Sequence, residues 1–134
     1  MWTYAQATGD LLQNGKKVGT GYSGFDNGKN NPAMQSVENV GPIPQGEWII
    51  SGPPFNSPDH GPFVLHLTPV DPGQTFGRNA FLLHGDSIKS PGNASRGCII
   101  MPRVIREQVW NSKDTDLEVV AEFATQDISP ATPA

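Results

Sequence analysis

Cys98, the one cysteine of the chain, follows the polar turn Asn93-Ala94-Ser95-Arg96-Gly97 and precedes an apolar pair, Ile99-Ile100. Fourteen positions before it, the apolar run Phe81-Leu82-Leu83 ends in His84-Gly85-Asp86-Ser87. A free thiol with a pKa of about 8.5 is mostly protonated at neutral pH; a neighbouring imidazole or cation turns it into a nucleophile for carbonyl carbon. His84 is the candidate base for Cys98.

A cysteine beside two isoleucines also fits a small buried hydrophobe, and a histidine closing an apolar run also fits a satisfied core residue. The turn in front of Cys98 separates the readings. Gly97 supplies backbone freedom closed to other residues, and the N–H groups of Gly97 and Cys98, with Arg96, can point at the oxygen of an attacked carbonyl. A merely packed cysteine requires none of this.

These residues must be carried by short elements. Fifteen glycines and thirteen prolines among 134 residues interrupt brief apolar segments, which predicts a mainly β domain of short strands and tight turns. The expected strands are Trp2–Gln6, Lys17–Tyr22, Glu47–Ser51, Phe63–Thr68, Ala80–His84, Gly97–Met101 and Leu117–Phe123. Several are too continuously apolar to have a wet face, so the expected architecture is a β-sandwich or partly closed barrel. A helix is expected after Pro102, with Met101, Val104, Ile105 and Val109 on its apolar face. Trp48 and Trp110 are assigned to the core. The long polar loop 24–41 is read as one wall of a substrate cleft. Residues 1–128 make one domain and 129–134 a disordered tail.

Nine basic and thirteen acidic residues give a net charge of −4, and no basic run exceeds Lys16-Lys17, which argues against nucleic acid as a partner. One cysteine forbids an internal disulfide. The start Met1-Trp2-Thr3-Tyr4-Ala5-Gln6 lacks a basic, apolar leader, and no run approaches the ~18 apolar residues that span a bilayer, so neither Sec export nor membrane insertion is expected. His60 and His66 fall in no Cys-x-x-Cys or His-Glu-x-x-His spacing with Cys98; no metal or other cofactor is expected.

The histidine and cysteine blocks together resemble the L,D-transpeptidase (YkuD-type) catalytic domain, in which an apolar strand ends in His-Gly and a later Ser/Thr-His-Gly-Cys precedes an apolar residue. Pro44-Gln45-Gly46-Glu47-Trp48-Ile49-Ile50 resembles a further strand of that family. Gly21-Tyr22-Ser23-Gly24, Asn30-Asn31-Pro32, Gly41-Pro42-Ile43-Pro44-Gln45-Gly46, Gly77-Arg78 and Ser95-Arg96-Gly97-Cys98-Ile99-Ile100 look more closely like the small L,D-transpeptidase-like effectors exported by type VI secretion. Two positions depart from the housekeeping enzymes: Arg96 replaces the motif histidine, and Ile100 stands where an arginine is common.

The resemblance implies a peptidoglycan-modifying enzyme. Cys98 would attack the amide joining an L-centre to a D-residue of a stem peptide, His84 would move the proton, and water, a free D-amino acid or another stem would resolve the thioester. It also implies an orienting partner for His84, commonly the Gly85 carbonyl, with Asp86 or Ser87 as alternatives. Tyr22, Ser23 and Arg78 match the effector pattern, and Arg78 would suit a stem carboxylate. Arg96 would stabilise the thiolate or hold a carboxylate. An effector made in the cytoplasm without a leader, delivered by type VI components into a rival's periplasm and matched by an immunity protein, completes the expectation. A housekeeping L,D-transpeptidase, a non-catalytic peptidoglycan-binding module and a cysteine hydrolase of ordinary L-peptides are the alternatives.

Overall fold

The computed structural model describes residues 1–123; the expected tail 129–134 and the domain limit at 128 lie outside the described residues. Among the described residues nine strands form one sheet: β1 Trp2–Ala5, β2 Asp10–Gln13, β3 Lys16–Thr20, β4 Tyr22–Ser23, β5 Gly46–Ser57, β6 Gly61–Pro69, β7 Leu82–His84, β8 Ile99–Ile100 and β9 Asp116–Val120. One α-helix, α1, spans Arg103–Asn111 between β8 and β9. The strand order is β3-β2-β1-β9-β5-β6-β7-β8-β4. Only β1/β9 and β7/β8 run parallel.

The mainly β expectation holds: among the described residues the strands form one open sheet, not a sandwich of two, and it stops short of a closed barrel. No ladder joins its edge strands β3 and β4, although they are consecutive in the chain with only Gly21 between them. The sheet therefore curls until its two edges nearly meet. Gly21 makes that step possible: its N–H reaches the Gly9 carbonyl at 2.8 Å, and a Cβ there would overlap the Ile100 carbonyl oxygen.

The core lies on one face of the curl. Trp2 and Tyr4 of β1, Trp48 and Ile50 of β5, Leu65 and Leu67 of β6, and Leu117 and Val119 of β9 alternate inward and are buried. Each such side chain contributes about 1.5–3 kcal/mol by leaving water. Trp48 meets Phe81 edge-on at 4.9 Å. Trp110 is only partly buried against this cluster.

Helix α1 starts after Pro102 as expected, but its buried face is made by Arg106 and Val109, and Val104 is exposed. Strand boundaries also differ. The expected Lys17–Tyr22 strand breaks at Gly21, β5 runs on to Ser57, and the segment around Cys98 is in strand pairing only at Ile99–Ile100. Among the described residues no helix is long and apolar enough to cross a membrane.

Candidate active site

Parallel pairing of β7 with β8 sets Leu83 against Ile99 and His84 against Ile100. Cys98 immediately precedes β8 and His84 closes β7, so the pairing brings the two residues to neighbouring segments of the chain. Both residues are buried, Cys98 at 8 % exposure and His84 at 1 %.

The two groups do not hydrogen-bond to each other at rest. His84 Nδ1 donates to the Gly85 carbonyl at 2.8 Å, which leaves Nε2 as the bare proton acceptor, and Nε2 is buried without a partner. The Cys98 thiol donates to the Ala80 carbonyl across 3.7 Å. Asp86 and Ser87, the alternative orienting residues, form no hydrogen bond with the imidazole.

Burial governs both titrations. It pushes the thiol up to about 11, against the pull of the Leu82 N–H and the Arg78 charge. It pushes His84 down to about 4; the Gly85 hydrogen bond opposes this, the His60 and Arg106 charges add to it, and Asp86 counters. At neutral pH burial thus favours a neutral thiol and a neutral imidazole, not the thiolate that the sequence pattern suggested.

The turn before Cys98 is built by Ser95 and Arg78. The buried Ser95 hydroxyl donates to the Cys98 carbonyl at 2.6 Å and accepts from the N–H groups of Gly24 at 2.8 Å and Gly97 at 3.1 Å. The Gly97 N–H is therefore already committed and is not free to receive an oxyanion. Gly97 has φ +133°, a conformation that L side chains rarely adopt.

Arg78 is buried and donates to the carbonyls of Gln35, Pro42, Gly41 and Arg96. Its fork is occupied by backbone, so instead of clamping a stem carboxylate it ties loop 24–41 to the cysteine turn. It is also the cation coupled to Cys98. Arg96, expected in that role, is exposed; its guanidinium stacks over Phe25 at 3.7 Å and donates to the Asn93 and Ser95 carbonyls.

Tyr22, Ser23 and Asp86 are structural ties as well. The Tyr22 hydroxyl donates to Asp86 Oδ1 at 2.6 Å and accepts from the Ala94 N–H at 2.9 Å. Burial resists ionisation of Asp86, yet hydrogen bonds from Tyr22, Gly92 and Ser87 and the Lys29 charge outweigh it and hold the carboxyl below its ordinary range. Tyr22 is pushed up to about 12, first by burial and then by Asp86. Ser23, fully buried, donates to the Gly97 carbonyl and accepts from the Ile43 N–H.

Two depressions open here, His84 bordering the larger and Cys98 the smaller. A cleft of about 1180 Å³ is bordered by His84, Tyr22, Asp86, Arg103 and Arg106. A smaller one of about 250 Å³ is bordered by Cys98, Arg78, Asn79, Glu38 and Asn39, so loop 24–41 does form one of its walls. His60, Ala94 and Arg96 border both.

Two participants escape the sequence pattern. His60 stacks on His84 with ring centroids 4.4 Å apart. Arg106, buried on α1, donates to the carbonyls of Met101, Phe63 and Pro62 and lies against Gly85. Nothing in the spacing marks His60. Arg106 does fall on the helix face of Val109, three positions earlier, where a charged residue is out of place.

Fold and site define a mainly β domain whose one cysteine directly precedes β8 and borders one cleft, while an oriented imidazole at the end of the paired strand β7 borders another. Residues 17–122 match the model of the Tlde1 domain, and the chain belongs to that family of type VI secretion effector domains. No curated protein and no solved structure matches the chain.

Proposed function

We propose that this domain is a peptidoglycan-modifying cysteine enzyme of the L,D-transpeptidase type, trimming or exchanging terminal D-amino acids on stem peptides as an antibacterial effector. The observation that carries the reading is a cysteine directly before β8 and a histidine at the end of β7, two strands that pair in parallel, with the imidazole Nδ1 fixed by the Gly85 carbonyl and Nε2 left bare.

The chemistry follows from that tautomer. As Sγ attacks the carbonyl carbon between an L-centre and the terminal D-residue, its proton passes to His84 Nε2. The C–N bond breaks, the leaving nitrogen takes that proton, and a thioester remains on Cys98. Water or the amine of a D-amino acid or second stem then gives a proton to Nε2 and attacks the thioester. The C–S bond breaks and Sγ recovers the proton. Because the resting thiol is neutral, His84 acts as a general base during attack, and Arg78 stabilises the negative charge that gathers on sulfur.

Effector membership supports secretion and, with the proposed substrate, action in the periplasm of a target cell opposed by an immunity protein. The test is digestion of purified muropeptides with mass analysis of the products: stems shortened by one D-residue, or carrying an exchanged one, with wild type and not with Cys98→Ala.

A second reading, a non-catalytic peptidoglycan-binding module, draws support from the buried, neutral thiol. Retained muropeptide binding without any product would favour it.

A further inference from the structure

His60 belongs to the turn between β5 and β6, where Ser57 pairs with Gly61 and the Ser57 hydroxyl accepts the His60 N–H at 3.1 Å. Its ring lies over the His84 ring, with centroids 4.4 Å apart and planes inclined by 33°. It also borders both depressions, beside His84 in the larger one and on the side of Cys98 in the smaller.

One hydrogen bond does not fix an imidazole. The ring torsion of histidine is broad, and the Nδ1–Gly85 bond alone leaves the ring free to rock. A second ring on its face removes that freedom and keeps water away. This matters because Nε2 has no partner of its own: water at Nε2 would compete for the lone pair.

We propose that His60 is a positioning residue of this site, holding the His84 imidazole in its Gly85-bonded orientation and keeping Nε2 dry. The inference rests on the reading of His84 as the base for Cys98. The charged and titratable groups that face His84 are Arg106 from α1, Asp86 from the segment after β7 and His60 itself. Cys98 directly precedes β8, the strand paired with the end of β7.

The test is titration of histidine-labelled protein by NMR, with the signals of the three histidines assigned by substitution. Wild type should show His84 titrating near 4 with its proton on Nδ1. His60→Ala and His60→Gln remove the covering ring; His84 should then titrate higher by about one unit or more and lose its single tautomer. His60→Phe restores a ring without a charge and should return the low titration and the fixed tautomer. If folded His60→Ala or His60→Gln leaves the His84 titration and tautomer unchanged, or if His60→Phe behaves as they do, the proposal is overturned.

Cys98 alkylation is measured on the same samples together with His84→Ala. An alkylation profile insensitive to His84→Ala would refute the base reading, whereas the NMR comparison judges His60 separately.

Discussion

Arg78 occupies the space that a side chain on residue 97 would need: a Cβ at Gly97 would fall 2.5 Å from Arg78 Nη2. The cysteine turn is thus shaped by an arginine whose N–H groups hold four carbonyls. Gly97→Ala meets both this contact and a backbone with φ +133°. It should cost about 2–4 kcal/mol of stability, read as a lower urea midpoint. Arg78→Lys keeps the charge but cannot bond four carbonyls from one plane, and should destabilise by a similar amount.

Tyr22→Phe removes a hydroxyl that bridges Asp86 and the Ala94 N–H. The expected loss is about 1–2 kcal/mol, because a charge-assisted hydrogen bond disappears and a backbone donor is left open. Urea unfolding measures it. Asp86→Asn should lose a comparable amount, and the double variant should lose less than the sum, since both act in one network.

The histidine gives stability its own pH window. His84 titrates near 4 in the folded chain and near 6.5 when free. Between those values the unfolded chain binds a proton that the native chain refuses, so stability falls as pH drops from 6.5 to 4, by on the order of 2 kcal/mol. Asp10, Asp86 and Asp114, all held below their ordinary carboxyl range, lose their contributions only at lower pH. Urea midpoints across pH 4 to 7 should slope in wild type and flatten in His84→Gln.

How much of this was legible in the sequence depended on whether the signal was local. The Cys98 turn and the His84 run announced themselves through residue type, and the buried alternation in β5 and β6 followed from apolar spacing. Strand β2 did not, although Asn14-Gly15, both at positive φ, is a strong hairpin signal between Gln13 and Lys16. How far the sheet closes was not legible, because closure depends on whether the edge strands β3 and β4 pair, and the step at Gly21 brings them near without a ladder. The place of Arg78 was not legible because carbonyl partners some 40 residues away carry no sequence pattern. His60 met His84 through a hairpin turn, a contact that only the fold creates.

The thiol should respond to pH as a buried neutral group. Alkylation of Cys98 by iodoacetamide should rise with pH toward a limb near 11, with no thiolate plateau at neutrality. A plateau extending down to pH 5 would mean that thiolate and imidazolium form an ion pair at rest. The general-base order of events proposed for the reaction would then be wrong.

The most direct measurement uses two synthetic stem peptides that differ only in the configuration of the terminal residue, each incubated with wild type, Cys98→Ala and His84→Ala and followed by mass spectrometry. Wild type should release the terminal D-residue and pass through a covalent adduct on Cys98, leave the L-ended peptide intact, and lose turnover by about 10³-fold or more in either variant. Release from both peptides, or release that persists in Cys98→Ala, would contradict the assignment of an L,D-specific cysteine enzyme.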